Sequence, residues 1–189
     1  MMKILIAGIG NVLRGDDGFG IRVIEALSKD ARVTAGVDLY EAGIAGIGLV
    51  QELINGYDAL IMVDAVDQGS RPGTLFILDP IVPEVNGPEM NGPEVNGPEV
   101  NGPEVNGIDA IELHQSIADA HFTEPSKVLL LARALNVCPP QVFIVGCQPG
   151  CVEDLVERLD PAVERAVPLA LDRILALIET LKQSVRISQ

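Results

Sequence analysis

Gly8-Ile9-Gly10-Asn11-Val12-Leu13-Arg14-Gly15-Asp16-Asp17-Gly18-Phe19-Gly20 holds five glycines and two adjacent acids in thirteen residues. The apolar run Ile4-Leu5-Ile6-Ala7 enters it, and the helical pattern Ile21-Arg22-Val23-Ile24-Glu25-Ala26-Leu27 leaves it. The stretch therefore reads as the loop between a buried strand (residues 3–9) and a helix (residues 18–29). Connections of this kind usually take about two to six residues. This one is longer, polar at its centre and rich in glycine, which points to a task besides turning the chain.

Outward from that loop, strand and helix signals alternate. Residues 33–40 read as a second strand, followed by a glycine-punctuated loop (residues 41–46) and a short helix (residues 47–54). Ala59-Leu60-Ile61-Met62-Val63 is an unbroken apolar run of the kind buried on both faces of a parallel sheet. It ends at Asp64-Ala65-Val66-Asp67. Residues 74–78 follow Pro72-Gly73 too closely for an intervening helix, so they are expected to form an antiparallel or edge strand. Residues 125–136 predict a helix with proline in its first turn, and residues 141–145 a further strand. Residues 161–182 predict a long helix with Val163, Val167, Leu171, Ile174, Leu175 and Ile178 along one stripe. The alternation predicts an α/β fold, a three-layer open, mostly parallel twisted sheet with helices on both faces.

Between residues 83 and 107 the pattern changes to five copies of a five-residue unit, Pro-Glu-Val-Asn-Gly with one Met for Val. A proline every fifth residue excludes a helix and removes sheet donors. The expectation is one domain over residues 1–189 with this repeat as a surface insertion. The net charge of −14 argues against nucleic acid or an anionic membrane as partner. No apolar run approaches the roughly 20 residues that span a bilayer. Met1-Met2-Lys3 leads straight into a strand, leaving no room for a signal peptide, so a cytoplasmic location is expected. Cys138, Cys147 and Cys151 match no zinc motif and read as buried or incidental thiols.

The chemistry is expected where the first and third strands lie side by side. In a strand order beginning 2-1-3 the chain reverses direction there, and open α/β sheets bind ligands outside the carboxyl ends of the strands at that point. Adjacent strands are about 4.8 Å apart, so Asp16 or Asp17 can converge with Asp64. His114 follows the repeat and would complete two carboxylates and an imidazole, a set suited to a divalent transition metal. The alternative is that an acid at 16 or 17 merely caps the first helix. His121 reads as a surface or core residue. A dinucleotide site is a rival, since Gly8-Ile9-Gly10 follows a strand and Glu41 ends the second one, but Leu13 occupies the place of the third glycine. No Gly-Lys-Ser/Thr and no Gly-x-Ser-x-Gly occurs, which excludes a P-loop and disfavours a serine hydrolase.

The thirteen-residue loop resembles the N-terminal signature of the [NiFe]-hydrogenase maturation endopeptidases. The likeness continues at Glu41-Ala42-Gly43-Ile44-Ala45-Gly46, at Val63-Asp64-Ala65-Val66-Asp67 and at His114-Gln115. Departures are Ala42-Gly43-Ile44 where the family often has Gly-Gly-Thr, and Glu112-Leu113 before the histidine where Ser-Pro is common. The resemblance implies an endopeptidase that removes the C-terminal peptide of a hydrogenase large-subunit precursor after nickel insertion. It implies that Asp17, Asp64 and His114 bind metal and carry the reaction. Nickel would arrive with the substrate rather than reside in the enzyme, and no organic cofactor is implied. Gly43 and Gly46 would let the substrate backbone approach. The rival readings are an amidohydrolase with its own resident metal and a nucleotide-binding module without proteolysis.

Overall fold

The computed structural model describes residues 2–44, 46–80, 125–153 and 155–187. His114, His121 and the repeat lie outside the described residues. The chain forms β1 (Ile4–Ile9), a 3-10 turn (Gly15–Gly18), α1 (Phe19–Leu27), β2 (Val37–Gly43) and α2 (Gly46–Leu53). It continues with β3 (Ala59–Ala65), β4 (Leu75–Leu78), α3 (Pro125–Ala134), β5 (Gln141–Cys147) and α4 (Pro161–Ile187). The sheet order is β2-β1-β3-β5-β4, with β4 alone antiparallel to its neighbour among these strands. The expected three-layer α/β architecture is present, including β4 as an antiparallel edge.

Alternation along the central strands builds two separate cores. Ile4 and Ile6 of β1, with Ala59, Ile61 and Val63 of β3, face α1 and α4. Leu5, Ala7 and Ile9, with Leu60 and Met62, face α2 and α3. Because side chains alternate with period two, Asp64 falls on the same face as Leu60 and Met62. On the other face, α4 inserts Val163, Ala166, Ala170, Ile174 and Ile178. Pro168 sits inside this helix on its exposed side. Among the described residues no helix is long and apolar enough to cross a membrane.

Two element boundaries differ from the sequence expectation. The second strand begins at Val37, after Gly36 turns the chain at φ +86 and its carbonyl accepts the N–H of Ile4. Val33 instead packs from outside the strand against the core. The strand then runs through Glu41, paired with Gly8, so the expected loop at 41–46 is half strand. Likewise β3 extends through Asp64 and Ala65, which pair with Gly146 and Cys147. Asp64 is thus held by the sheet itself.

Gly20 shows how closely α1 meets the sheet. A Cβ there would lie 2.2 Å from the Val63 carbonyl oxygen and 2.4 Å from that of Ile9. The start of α1 therefore rests on the carboxyl ends of β1 and β3, which brings the acidic loop over the strand order's reversal.

Candidate active site

The loop after β1 folds around its own amides. Gly10 takes φ +120, and a Cβ there would fall 1.7 Å from the Asp17 carbonyl oxygen, so only glycine lets the loop close on itself. Gly10 N–H donates to Gly43 O, Asn11 N–H to Asp17 Oδ2 at 3.0 Å, and Leu13 N–H to Asn11 Oδ1. Arg14, Gly15, Asp16 and Asp17 donate to the carbonyls of Asn11, Val156, Cys151 and Arg14. A phosphate cradle requires such N–H groups to point at the ligand. Here they are spent within the protein, which counts against the dinucleotide reading.

Asp17 and Asp64 line one cavity of about 580 Å³, together with Ile9, Ile144 and Asp67. Its apolar wall comes from the α2/α3 side of the sheet, and its acids gather at the strand ends. Asp64 is only 7% exposed. Burial pushes its carboxyl up to about 7; the N–H of Ala65, 2.8 Å from Oδ1, opposes this, and the charge of Asp17 adds to it. A carboxyl raised in this way beside another carboxylate can hold a proton near neutral pH. Another cavity, of about 470 Å³, opens beside Arg22, Glu157, Arg158 and Glu164. Its acids there stand among guanidiniums on a largely exposed surface, away from the strand ends.

The remaining acids of the two loops have other partners. Asp16 is fully buried. Its Oδ2 accepts the N–H groups of Gly150 and Cys151 at 2.7 and 2.8 Å, and its Oδ1 that of Asp160 at 2.6 Å. Neither Asp16 nor Asp17 caps α1: the N-cap is Gly18, with no side-chain bond, so the capping alternative fails. Asp67 accepts from Gln148 Nε2 and from the Gly69 N–H, both at 2.9 Å. Those bonds, that of Gln148 foremost, hold its carboxyl below the usual range.

Gln148 escaped the sequence reading. It is buried, and its Oε1 accepts the N–H groups of Gln68 and Ser70. The signal was a polar side chain set between an apolar strand and Pro149-Gly150. Cys147 is buried and Cys138 and Cys151 are partly so; all three are free thiols. Among the described residues no cluster of three His, Cys, Asp or Glu side chains fit to hold a metal ion is present.

A family model described as hydrogenase maturation protease matches residues 21–84 and 105–177. The chain is 31% identical over 179 residues to the hydrogenase expression/formation protein HupD of Rhizobium leguminosarum bv. viciae, covering 94% of this chain and 75% of that one. It is 30% identical over 180 residues to the hydrogenase 2 maturation protease of Escherichia coli, covering 94% and 91%. Among solved structures it resembles the hydrogenase maturating endopeptidase HybD from E. coli, with a TM-score of 0.66 and 26% identity over 95% of this chain and 93% of that one.

Proposed function

The chain belongs to the hydrogenase maturation protease family, and from that membership we propose that it removes a C-terminal peptide from a [NiFe]-hydrogenase large-subunit precursor after nickel insertion. The observation that carries the reading is the convergence of Asp17 and Asp64 on one cavity, with Asp16 enclosed by main-chain N–H groups and Asp67, on the same cavity, bonded to Gln148 and Gly69. Each of the two carboxylates accepts one main-chain N–H, Asp17 through Oδ2 and Asp64 through Oδ1, and together they are a minimal docking point for a cation that arrives with other ligands.

In this reading nickel is part of the substrate. Asp17, Asp64 and His114 contact it, and the precursor supplies its remaining ligands. Carboxylates and one imidazole make a hard and sparse set for nickel, so the free ion is held weakly. The shared ion then brings the scissile bond to the cavity, and a metal so placed can polarise the carbonyl or activate a water. Binding energy from the ion orients the bond, as remote contacts contribute to a transition state.

The test is processing of a nickel-loaded precursor by purified variants, followed by its shift on a gel. Asp17→Asn, Asp64→Asn and His114→Ala should each abolish trimming while leaving the circular dichroism spectrum of the fold. Normal trimming by any one of them removes that residue from the site. Metal analysis of the purified wild type separates this reading from a resident-metal amidohydrolase, which would retain its ion.

A further inference from the structure

We infer that Asp16 is a positioning residue: its buried carboxylate joins the loop carrying Asp17 to the segment after β5, and that segment in turn fixes the loop following Asp64. The inference rests on the reading of Asp17 and Asp64 as the pair that meets the substrate's nickel.

The connection can be followed atom by atom. On one side, Asp16 accepts the amides of Gly150, Cys151 and Asp160, and its own N–H donates to Cys151 O at 2.8 Å. On the other, the Cys147 carbonyl accepts the Val66 N–H, and Gln148 Oε1 accepts Gln68 and Ser70 while its Nε2 donates to Asp67. Residues 147–151 therefore brace the two acidic loops against each other. Capping of α4 does not account for Asp16, because Asp160 already accepts the Ala162 N–H through its own side chain. A carboxylate removed from water is costly unless its oxygens are satisfied. Three main-chain donors meet that need here.

Asp16 and Asp17 share the same 3-10 turn, so a displaced Asp16 carries Asp17 with it. The loop has no slack to absorb such a shift, given the close approach of Gly10 to the Asp17 carbonyl. Misplacement of a reacting group by about 1 Å can cost on the order of a hundredfold in rate.

Asp16→Asn is nearly isosteric but turns an NH2 toward either Gly150 and Cys151 or Asp160, where a donor faces a donor. With the nickel-loaded precursor, kcat per folded molecule should fall by about tenfold or more. Hydrogen exchange supplies a readout that needs no substrate. The Asn11 amide, whose acceptor is Asp17 Oδ2, should lose protection together with Gly150, Cys151 and Asp160. An unchanged kcat per folded molecule, or an Asn11 amide as protected as in the wild type, overturns the inference. If Asp16→Asn does not fold, native-state exchange of the wild type decides. The four amides should then open as one unit, and an Asn11 amide opening about tenfold faster than the other three contradicts the brace. If the wild type leaves the precursor uncut, the proposed reaction fails, and the exchange result alone judges the positioning role.

Discussion

Asp16 and Asp17 are consecutive, yet the first carboxylate is enclosed by three main-chain N–H groups and the second faces the cavity that Asp64 shares. A 3-10 turn advances about 120° per residue, so two neighbours on it face different surroundings. One acid anchors the loop to the rest of the fold, and the other is presented at the strand ends.

Asp67 tests the choice of acids. Its carboxylate is engaged by Gln148 and Gly69, although it lines the same cavity as Asp64. Asp67→Asn should therefore reduce processing only a few-fold, on the order of 1 kcal/mol in the barrier. The measurement is the initial rate of precursor trimming beside that of Asp64→Asn. Equal losses would transfer the role from Asp64 to Asp67.

The elevated value at Asp64 has a consequence for stability. Its carboxyl rises from 3.8 to about 7 on folding, so the folded state keeps the proton where the unfolded chain has lost it. The resulting stabilisation is fully present below about pH 4 and is lost as pH rises through about 7. At about 1.4 kcal/mol per unit of displacement, the total is on the order of a few kcal/mol. Urea unfolding of the metal-free protein at pH 5 and pH 8 should show this decline in the wild type and a smaller one in Asp64→Asn. Identical pH dependence in the two proteins would contradict a raised carboxyl at Asp64.

Gly20→Ala should destabilise the fold by about 1–3 kcal/mol or more, the usual cost of overpacking. The added methyl meets the carbonyl oxygens of Val63 and Ile9, both of them main-chain atoms that cannot swing aside. Denaturant unfolding measures it. A loss under about 0.5 kcal/mol, the range of an ordinary surface change, would mean that α1 stands off the sheet.

Excising residues 88–107, four of the five repeat units, should leave stability nearly unchanged. Loop closure costs only about 0.6 kcal/mol per doubling of length, and the proline period offers no regular element to lose. Thermal unfolding checks the fold, and precursor trimming checks the reaction. An unfolded product would show that the repeat packs on the domain; a folded but inactive one would make it a docking element.

Much of this was legible in the sequence because it depends on local period. The apolar runs of β1 and β3 set the sheet order's centre, and the order itself brings Asp17 and Asp64 together. What was not legible depends on distant partners. Asp16 and Asp17 are indistinguishable as residue types, and only bonds to positions 134 to 144 residues away separate them. Gln148 was overlooked for the same reason, since its partners lie 78 to 81 residues back. The start of β2 was misplaced because Val33 is apolar for packing rather than for pairing, and Gly36 turns the chain between the two.

Sharing of one nickel ion between enzyme and precursor is tested by intact-mass measurement of the large-subunit precursor after incubation with the purified protein. Two samples are compared, one carrying inserted nickel and one without it. The nickel-loaded precursor should lose its C-terminal peptide and the nickel-free one should stay intact. Equal trimming of both would contradict the shared ion and favour a hydrolase that works without the substrate's metal.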